Sequence, residues 1–216
     1  MSRLYSVLRK VISGGQTGAD IAGVKTAKLF GIPTGGTMPF GFKTLDGPRP
    51  EYATLYGMVE HESPDYAPRT RANVEAADFT LRMAEDWKSP GEVRTLAEIE
   101  RAKRPHADIT LTRRNGVLVS EKPREVQDAL TKIVQVRQAS LLGAITINVA
   151  GNAERTAPGI ELAASRILWV MFSNLCEPER CNRCKHPSEC HDDAGCRLRD
   201  MMSKQGRACE CAGWVN

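Results

Sequence analysis

The chain has 216 residues, a net charge of +4, 41% hydrophobic and 26% charged residues. That length suits one large domain, or one domain with an appendage, and the composition is that of a folded globule rather than a disordered or fibrous chain. Its apolar runs, such as 167–172, are too short to span a bilayer, and the basic N-terminus lacks the apolar core of a secretory signal, so a cytoplasmic location is expected.

The charge is uneven. From Cys176 onward seven Lys/Arg balance seven Asp/Glu, so residues 1–175 carry the whole excess. The segment 101–124 holds seven basic residues against two acidic ones, which fits an anionic ligand or, more simply, a solvated basic face. Aromatic residues are only 6% of the chain. With so few stacking platforms, and a neutral tail, nucleic acid is not the expected partner.

In chain order, a β-branched run at 7–12 reads as a strand. It leads into Ser13-Gly14-Gly15-Gln16-Thr17-Gly18-Ala19-Asp20 and then a helical pattern to Phe30. Strand, glycine turn and helix open a βαβ unit. The glycines lower the steric barrier around the backbone, and the loop amides with the helix N-terminus predict an anion seat. It is neither a Walker loop nor a dinucleotide fingerprint. A tight turn with Asp20 capping the helix is the plainer alternative.

Residues 31–34 read as a second strand and 35–42 as a second glycine/proline loop, with Gly35-Gly36 beside the first loop at the carboxyl edge of the sheet. A surface loop over 43–65 is expected, with a short helix near 51–56. A helix over 69–77 with Thr70 as its cap is followed by a strand over 78–84, a loop over 87–91, and a helix over about 93–103. A strand at 107–112 meets the hairpin signal Asn115-Gly116. Pro123 opens a helix to about 141. The clearest buried strand, 144–150, ends in Gly151-Asn152, and a last amphipathic helix runs from Pro158 to about 174. The alternation predicts an α/β fold: a Rossmann-like parallel sheet with helices on both faces, plus a small Cys-rich C-terminal appendage. The expected domains are 1–175 and 176–216.

Several of these pieces together resemble a known family. They are Ser13-Gly14-Gly15-Gln16-Thr17-Gly18-Ala19-Asp20, Gly35-Gly36 with Pro39-x-Gly41, Arg69-Thr70-x-x-Asn73-Val74-x-x-x-Asp78-x-Thr80-Leu81, and Asn148-Val149-Ala150-Gly151 with Pro158-Gly159-Ile160. The stretch 7–172 is similar to the putative molybdenum carrier proteins, relatives of the YpsA-type proteins in the SLOG group of Rossmann-like folds. The resemblance implies a binding protein or carrier for molybdenum cofactor or a nucleotide-derived ligand, or a sensor of a nucleotide signal.

The string Pro90-Gly91-Glu92-Val93-Arg94-Thr95-Leu96-Ala97-Glu98 is a weaker match to the LOG phosphoribohydrolase signature Pro-Gly-Gly-x-Gly-Thr-x-x-Glu. It implies, as an alternative function, N-glycosidic hydrolysis with Glu98 and Arg69 as catalytic residues. Glu92 and Arg94 replace two glycines, however, and Glu92 sets a like charge beside a phosphate seat. That argues against turnover.

A phosphate-bearing heterocycle needs amide donors, a positive rim and neutral contacts. Gly14, Gly15, Gly18, Gly35, Gly36 and Gly151 are the candidate turn positions. Arg69, Arg71 and Arg155 are candidate forks for an oxyanion. Gln16, Thr17, Asp20, Thr70, Asn73, Thr95 and Asn152 complete the expected binding set. For each arginine the alternative is an exposed ion pair of little energetic consequence.

All seven cysteines lie late in the chain: Cys176, Cys181, Cys184, Cys190, Cys196, Cys209 and Cys211. Cys181-x-x-Cys184 has metal-knuckle spacing, and His186 and His191 are nearby. A Zn²⁺ site drawn from these cysteines is the leading reading, with an iron–sulfur cluster or disulfides as alternatives. So short a segment gains from a metal staple. The tail is also the expected place for a protein partner. A small anionic ligand, a homo-oligomer and no membrane contact complete the expectations.

Overall fold

The computed structural model describes residues 7–176, together with the backbone of two short strands at 191–192 and 195–196. The first βαβ unit is β1 (Leu8–Ser13), α1 (Ala19–Leu29) and β2 (Thr34–Met38). A small hairpin, β3 (Lys43–Thr44) with β4 (Gly47–Pro48), then leads to α2 (Glu51–Tyr56) and β5 (Met58–Glu60). The chain continues through α3 (Tyr66–Ala76), β6 (Phe79–Ala84), α4 (Pro90–Ala102) and β7 (His106–Thr110). A second hairpin, β8 (Thr112–Arg114) with β9 (Val117–Val119), precedes α5 (Pro123–Ala139), β10 (Ile145–Gly151) and α6 (Ile160–Leu175).

Six strands form one parallel sheet in the order β5-β2-β1-β10-β6-β7. The late strand β10 sits between β1 and β6. From β1 the chain leaves toward one edge, and from β6 toward the other. This is a switch point, where open α/β sheets bind ligands.

The sheet has two unlike faces, and the sequence of its central strands says why. In β6, Phe79, Leu81 and Met83 point into the main apolar cluster, as do Ile145, Ile147 and Val149 in β10. The period-2 rule sends Thr80 and Arg82, and Thr146 and Asn148, to the opposite face. Helices α1, α5 and α6 cover the apolar face with small and aliphatic residues such as Ala22, Ala129, Ile133, Ala164 and Leu168. Burying each of the larger side chains contributes about 1.5–3 kcal/mol. Helices α3 and α4 cover the polar face. They are tied to one another by Arg71–Glu98 and Arg101–Glu75, with Arg101–Glu98 joining the two pairs within α4.

The elements match the sequence reading with local differences, the β3–β4 hairpin within the expected 43–65 loop being one. Gly35 and Gly36 lie inside β2 rather than in a loop. The edge strand β5 falls where an irregular surface loop was expected. Helix α3 begins at Tyr66, so Thr70 is not its cap; its hydroxyl donates instead to the Tyr66 carbonyl at 2.9 Å. Helix α4 begins at Pro90, which suits the first helical position, and this puts Glu92 in its first turn.

Gly36 shows why β2 holds glycines. It has φ +131°, and a Cβ there stands 2.0 Å from the Ser13 carbonyl oxygen. Only glycine lets β2 approach β1 so closely at that point. Gly36→Ala is expected to destabilise the fold by about 2–4 kcal/mol, read as a lower midpoint in urea unfolding.

Candidate functional site

A cleft of about 760 Å³ lies over the polar face of the sheet, at the carboxyl ends of β1, β10 and β6. Its walls are the first turns of α3 and α4. Its floor includes Asn148, Ala150 and Asn152 from and beyond β10. Leu45, at the tip of the β3–β4 hairpin, closes one side. That hairpin is pinned to the glycine loop: the Leu45 amide donates to Gln16 Oε1 at 3.0 Å, and the Thr17 hydroxyl donates to Asp46 at 2.6 Å.

The glycine loop does not offer its amides to this cleft. The Gly15 amide donates to Ser13 Oγ at 3.1 Å, that of Gln16 to Asp20 Oδ2 at 3.3 Å, and that of Thr17 to Gln16 Oε1 at 3.0 Å. The Ala19 amide donates to the Asn152 carbonyl. At these four positions the expected anion seat is therefore taken by the chain's own acceptors, the Asp20 carboxylate among them. Asp20 also receives the Gly151 amide and Arg69 Nη1, the latter at 3.3 Å. Burial pushes the Asp20 pKa up, against the lowering effects of Arg69 and the two amides.

Of the expected ligand residues, Gln16, Asp20, Arg69 and Thr70 line the cleft. So do Asn73, Thr95, Gly151 and Asn152. Gly14, Gly15, Thr17, Gly18, Gly35 and Gly36 do not. Their smallness serves packing: a Cβ on Gly14 meets Arg69 Nη1 at 1.5 Å, and one on Gly18 meets the Asn152 carbonyl at 2.5 Å. Asn73 is spent on β2, accepting from the Thr37 amide and donating to its carbonyl. Asn152 is a clamp: its oxygen accepts the Glu85 and Asp86 amides, and its nitrogen donates to Asp86, Ser89 and Glu92.

The expected catalytic pair is not assembled. Arg69 is in the cleft, but Glu98 lies farther along α4, held by Arg101 at 2.8 Å and Arg71 at 3.2 Å. Burial acts to raise the Glu98 pKa, yet the hydrogen bonds from Arg101 and Arg71 leave it lowered. Arg71 is thus engaged away from the cleft, and Arg155 donates to the Leu45 carbonyl.

Glu92, rather than Glu98, is the α4 carboxylate that lines the cleft. It is 2% exposed. Burial raises its pKa to about 7 against the pull of Arg82, with Asp20 and Asp108 pushing in the same direction as burial. Arg82 is itself buried and committed elsewhere: its Nε donates to Asp108 at 2.8 Å and its Nη1 to the Glu92 carbonyl. Four cleft residues carry buried polar atoms with no hydrogen-bond partner in the protein: Arg69 Nε, Tyr66 Oη, Glu92 Oε2 and Asn148 Oδ1. Arg94, exposed at the rim, makes no ion pair or side-chain hydrogen bond among the described residues.

Tyr66 and Arg82 were not singled out from the sequence, Asn148 entered only as part of the family motif, and Glu92 was read only as an obstacle to phosphate. A signal for them existed: Thr80/Arg82 and Thr146/Asn148 alternate with apolar residues in two central strands, the mark of a polar sheet face.

Comparisons with known proteins bear on the family and the fold. Residues 11–172 match the model of the family described as circularly permutated YpsA SLOG. The chain belongs to that family. It is also similar to the crystal structure of a "putative molybdenum carrier protein" from Syntrophus aciditrophicus SB, with 30% identity and a TM-score of 0.62. That alignment covers 78% of this chain and 97% of the other. No curated protein matches it.

Among the described residues no helix is long and apolar enough to cross a membrane. No group of three His, Cys, Asp or Glu side chains there is placed to hold a metal ion. Cys176 is buried in the main apolar cluster. The side chains of Cys181, Cys184, Cys190, Cys196, Cys209 and Cys211 lie outside the described residues, and so do the expected metal site and partner surface of the tail.

A carboxyl whose folded pKa is raised favours folding while protonated. That contribution is full below the ordinary value near 4.5 and is lost as pH rises through about 7. A shift of this size corresponds to about 3 kcal/mol. Glu92→Gln is therefore expected to match the wild type near pH 4.5 and to exceed its stability by up to about 3 kcal/mol at pH 8, measured by urea unfolding at both pH values.

Proposed function

We propose that this chain is a binding protein, a carrier or sensor, that holds a phosphate-bearing heterocycle in the cleft between α3 and α4. The observation that carries the reading is the set of four buried, unpartnered polar atoms lining one cavity. Leaving such a group unmet costs about 1–3 kcal/mol each, so a polar ligand that meets them gains correspondingly. Helix N-termini at Tyr66 and Pro90 favour the negative end of the ligand there, and Arg94 and Arg69 supply positive charge. Pro68, Pro90, Ala150 and Ala153 supply apolar surface for a ring.

The similar solved structure is named for carrying molybdenum, and molybdenum cofactor, a pterin with a phosphate tail, is the molybdenum-bearing cargo that has both ends this cleft suits. A nucleotide-derived ligand has the same two ends. The binding set we assign is Gln16, Tyr66, Arg69, Thr70, Glu92, Arg94, Thr95 and Asn148. Asp20, Asn73, Gly151 and Asn152 hold that set in position.

Arg94 separates ligand binding from folding because no other described side chain depends on it. Nucleoside monophosphates and a phosphorylated pterin are the probes, titrated into the full chain by calorimetry. At least one is expected to saturate, without release of its base. Arg94→Ala is expected to weaken that probe by about three- to tenfold at unchanged thermal stability, and Glu98→Ala to leave the affinity as it was. Failure of every probe to saturate, with no small molecule co-purifying in native mass spectrometry, overturns the reading.

A further inference from the structure

The floor of the cleft presents acceptors, and that restricts what can lie on it. Asn148 and Glu92 are 3% and 2% exposed, and Asn148 Oδ1 and Glu92 Oε2 both lack a donor in the protein. The other half of each group is used. Asn148 Nδ2 donates to Thr80 Oγ1 at 3.5 Å, and Glu92 Oε1 accepts from Asn152 Nδ2 at 3.5 Å. Arg82 Nη1 stands 3.8 Å from Glu92 Oε2, beyond hydrogen-bond range, because its donors are spent on Asp108 and on the Glu92 carbonyl. The two groups come from different layers, a strand of the sheet and the first turn of α4, yet line one cavity.

Two buried, unmet acceptors at the cleft floor call for N–H donors. A cation is a poor solution, because the guanidinium groups of Arg82 and Arg69 stand against the carboxylates of Glu92 and Asp20 and repel it. A neutral ring edge carrying adjacent N–H groups meets the acceptors without that repulsion. The walls at Pro68, Pro90, Ala150 and Ala153 suit a flat ring, and the buried, unpartnered donors Arg69 Nε and Tyr66 Oη suit a ring carbonyl or an anionic tail.

Resting on the ligand class proposed above, we infer that Glu92 and Asn148 are the specificity residues of the cleft and read the amino–imino edge of a 2-amino-4-oxopyrimidine ring. Glu92 accepts the ring N–H and one hydrogen of the exocyclic amine. Asn148 Oδ1 accepts the second amine hydrogen. Guanine and pterin share this edge, and the experiment distinguishes them.

Calorimetric titration of the full chain with guanosine monophosphate, inosine monophosphate and a phosphorylated pterin tests the inference. Inosine monophosphate differs from the guanine probe only by lacking the amine. Guanosine monophosphate or the pterin is expected to bind at least about tenfold more tightly than inosine monophosphate, because the analogue leaves buried acceptors unmet. Whichever of the two binds tighter identifies the source of the edge. Glu92→Gln is expected to bring the preference within about threefold while inosine monophosphate still binds. Asn148→Ala gives a second reading of the same loss should the first variant fold poorly. Equal binding of all three probes, or a preference unchanged in both variants, overturns this inference and leaves the binding role standing. No binding of any probe overturns both.

Discussion

The Asp20 carboxylate organises the site. It sits in the first turn of α1 and gathers the Gln16 amide, the Gly151 amide and the Arg69 guanidinium around one buried group. That single anion joins the glycine loop, the end of β10 and the wall helix α3. Removing one partner from a buried pair of this kind typically costs about 3–5 kcal/mol, because it strands the other charge. Gly14 is part of the same device, since any side chain there displaces Arg69. The glycine loop is therefore an internal lock that shapes the cleft from behind.

With the helix α1 terminus satisfied from within, the electrostatics of the cleft fall to its other walls. The first turns of α3 and α4 bring their positive ends to one rim, with Arg94 beside them. The floor is the reverse: Glu92, Asn148 and the nearby Asp20 make it rich in acceptors. A ligand that is negative at one end and rich in N–H at the other fits both. Such a gradient orients a bound molecule as well as holding it, and it arises because α4 begins early enough to turn Glu92 inward.

The degenerate match to the phosphoribohydrolase string takes on a physical meaning in this setting. Glu98 is neutralised between Arg101 and Arg71 and serves to tie α4 to α3. Glu92 occupies a position where the signature has glycine, and there it is buried over the sheet. The substitution replaces a backbone approach with a carboxylate, which changes what the same cleft can recognise.

Much of the fold was legible from local pattern. β-branched runs, the Asn115-Gly116 hairpin, Pro123 and the buried run of β10 each fix their own conformation through short-range sterics and period. The membership of Gln16, Arg69, Thr95 and Asn152 in one cleft could be anticipated because turns at strand carboxyl ends converge in a parallel sheet. Tertiary structure alone decided which donors remain open. Gly36 reads as a loop glycine until β1 lies against it, and the amides of residues 15–17 read as an anion seat until Ser13, Asp20 and Gln16 side chains take one each. Asn73 and Asn152 read as ligand contacts until β2 and the β6–α4 loop claim them. Burial and hydrogen-bond satisfaction depend on neighbours distant in sequence. The chain by itself thus determined the sheet, its helices and the edge where its glycine turns converge, whereas packing decided that Glu92 and Asn148, both lining the cleft, are left with acceptors unmet.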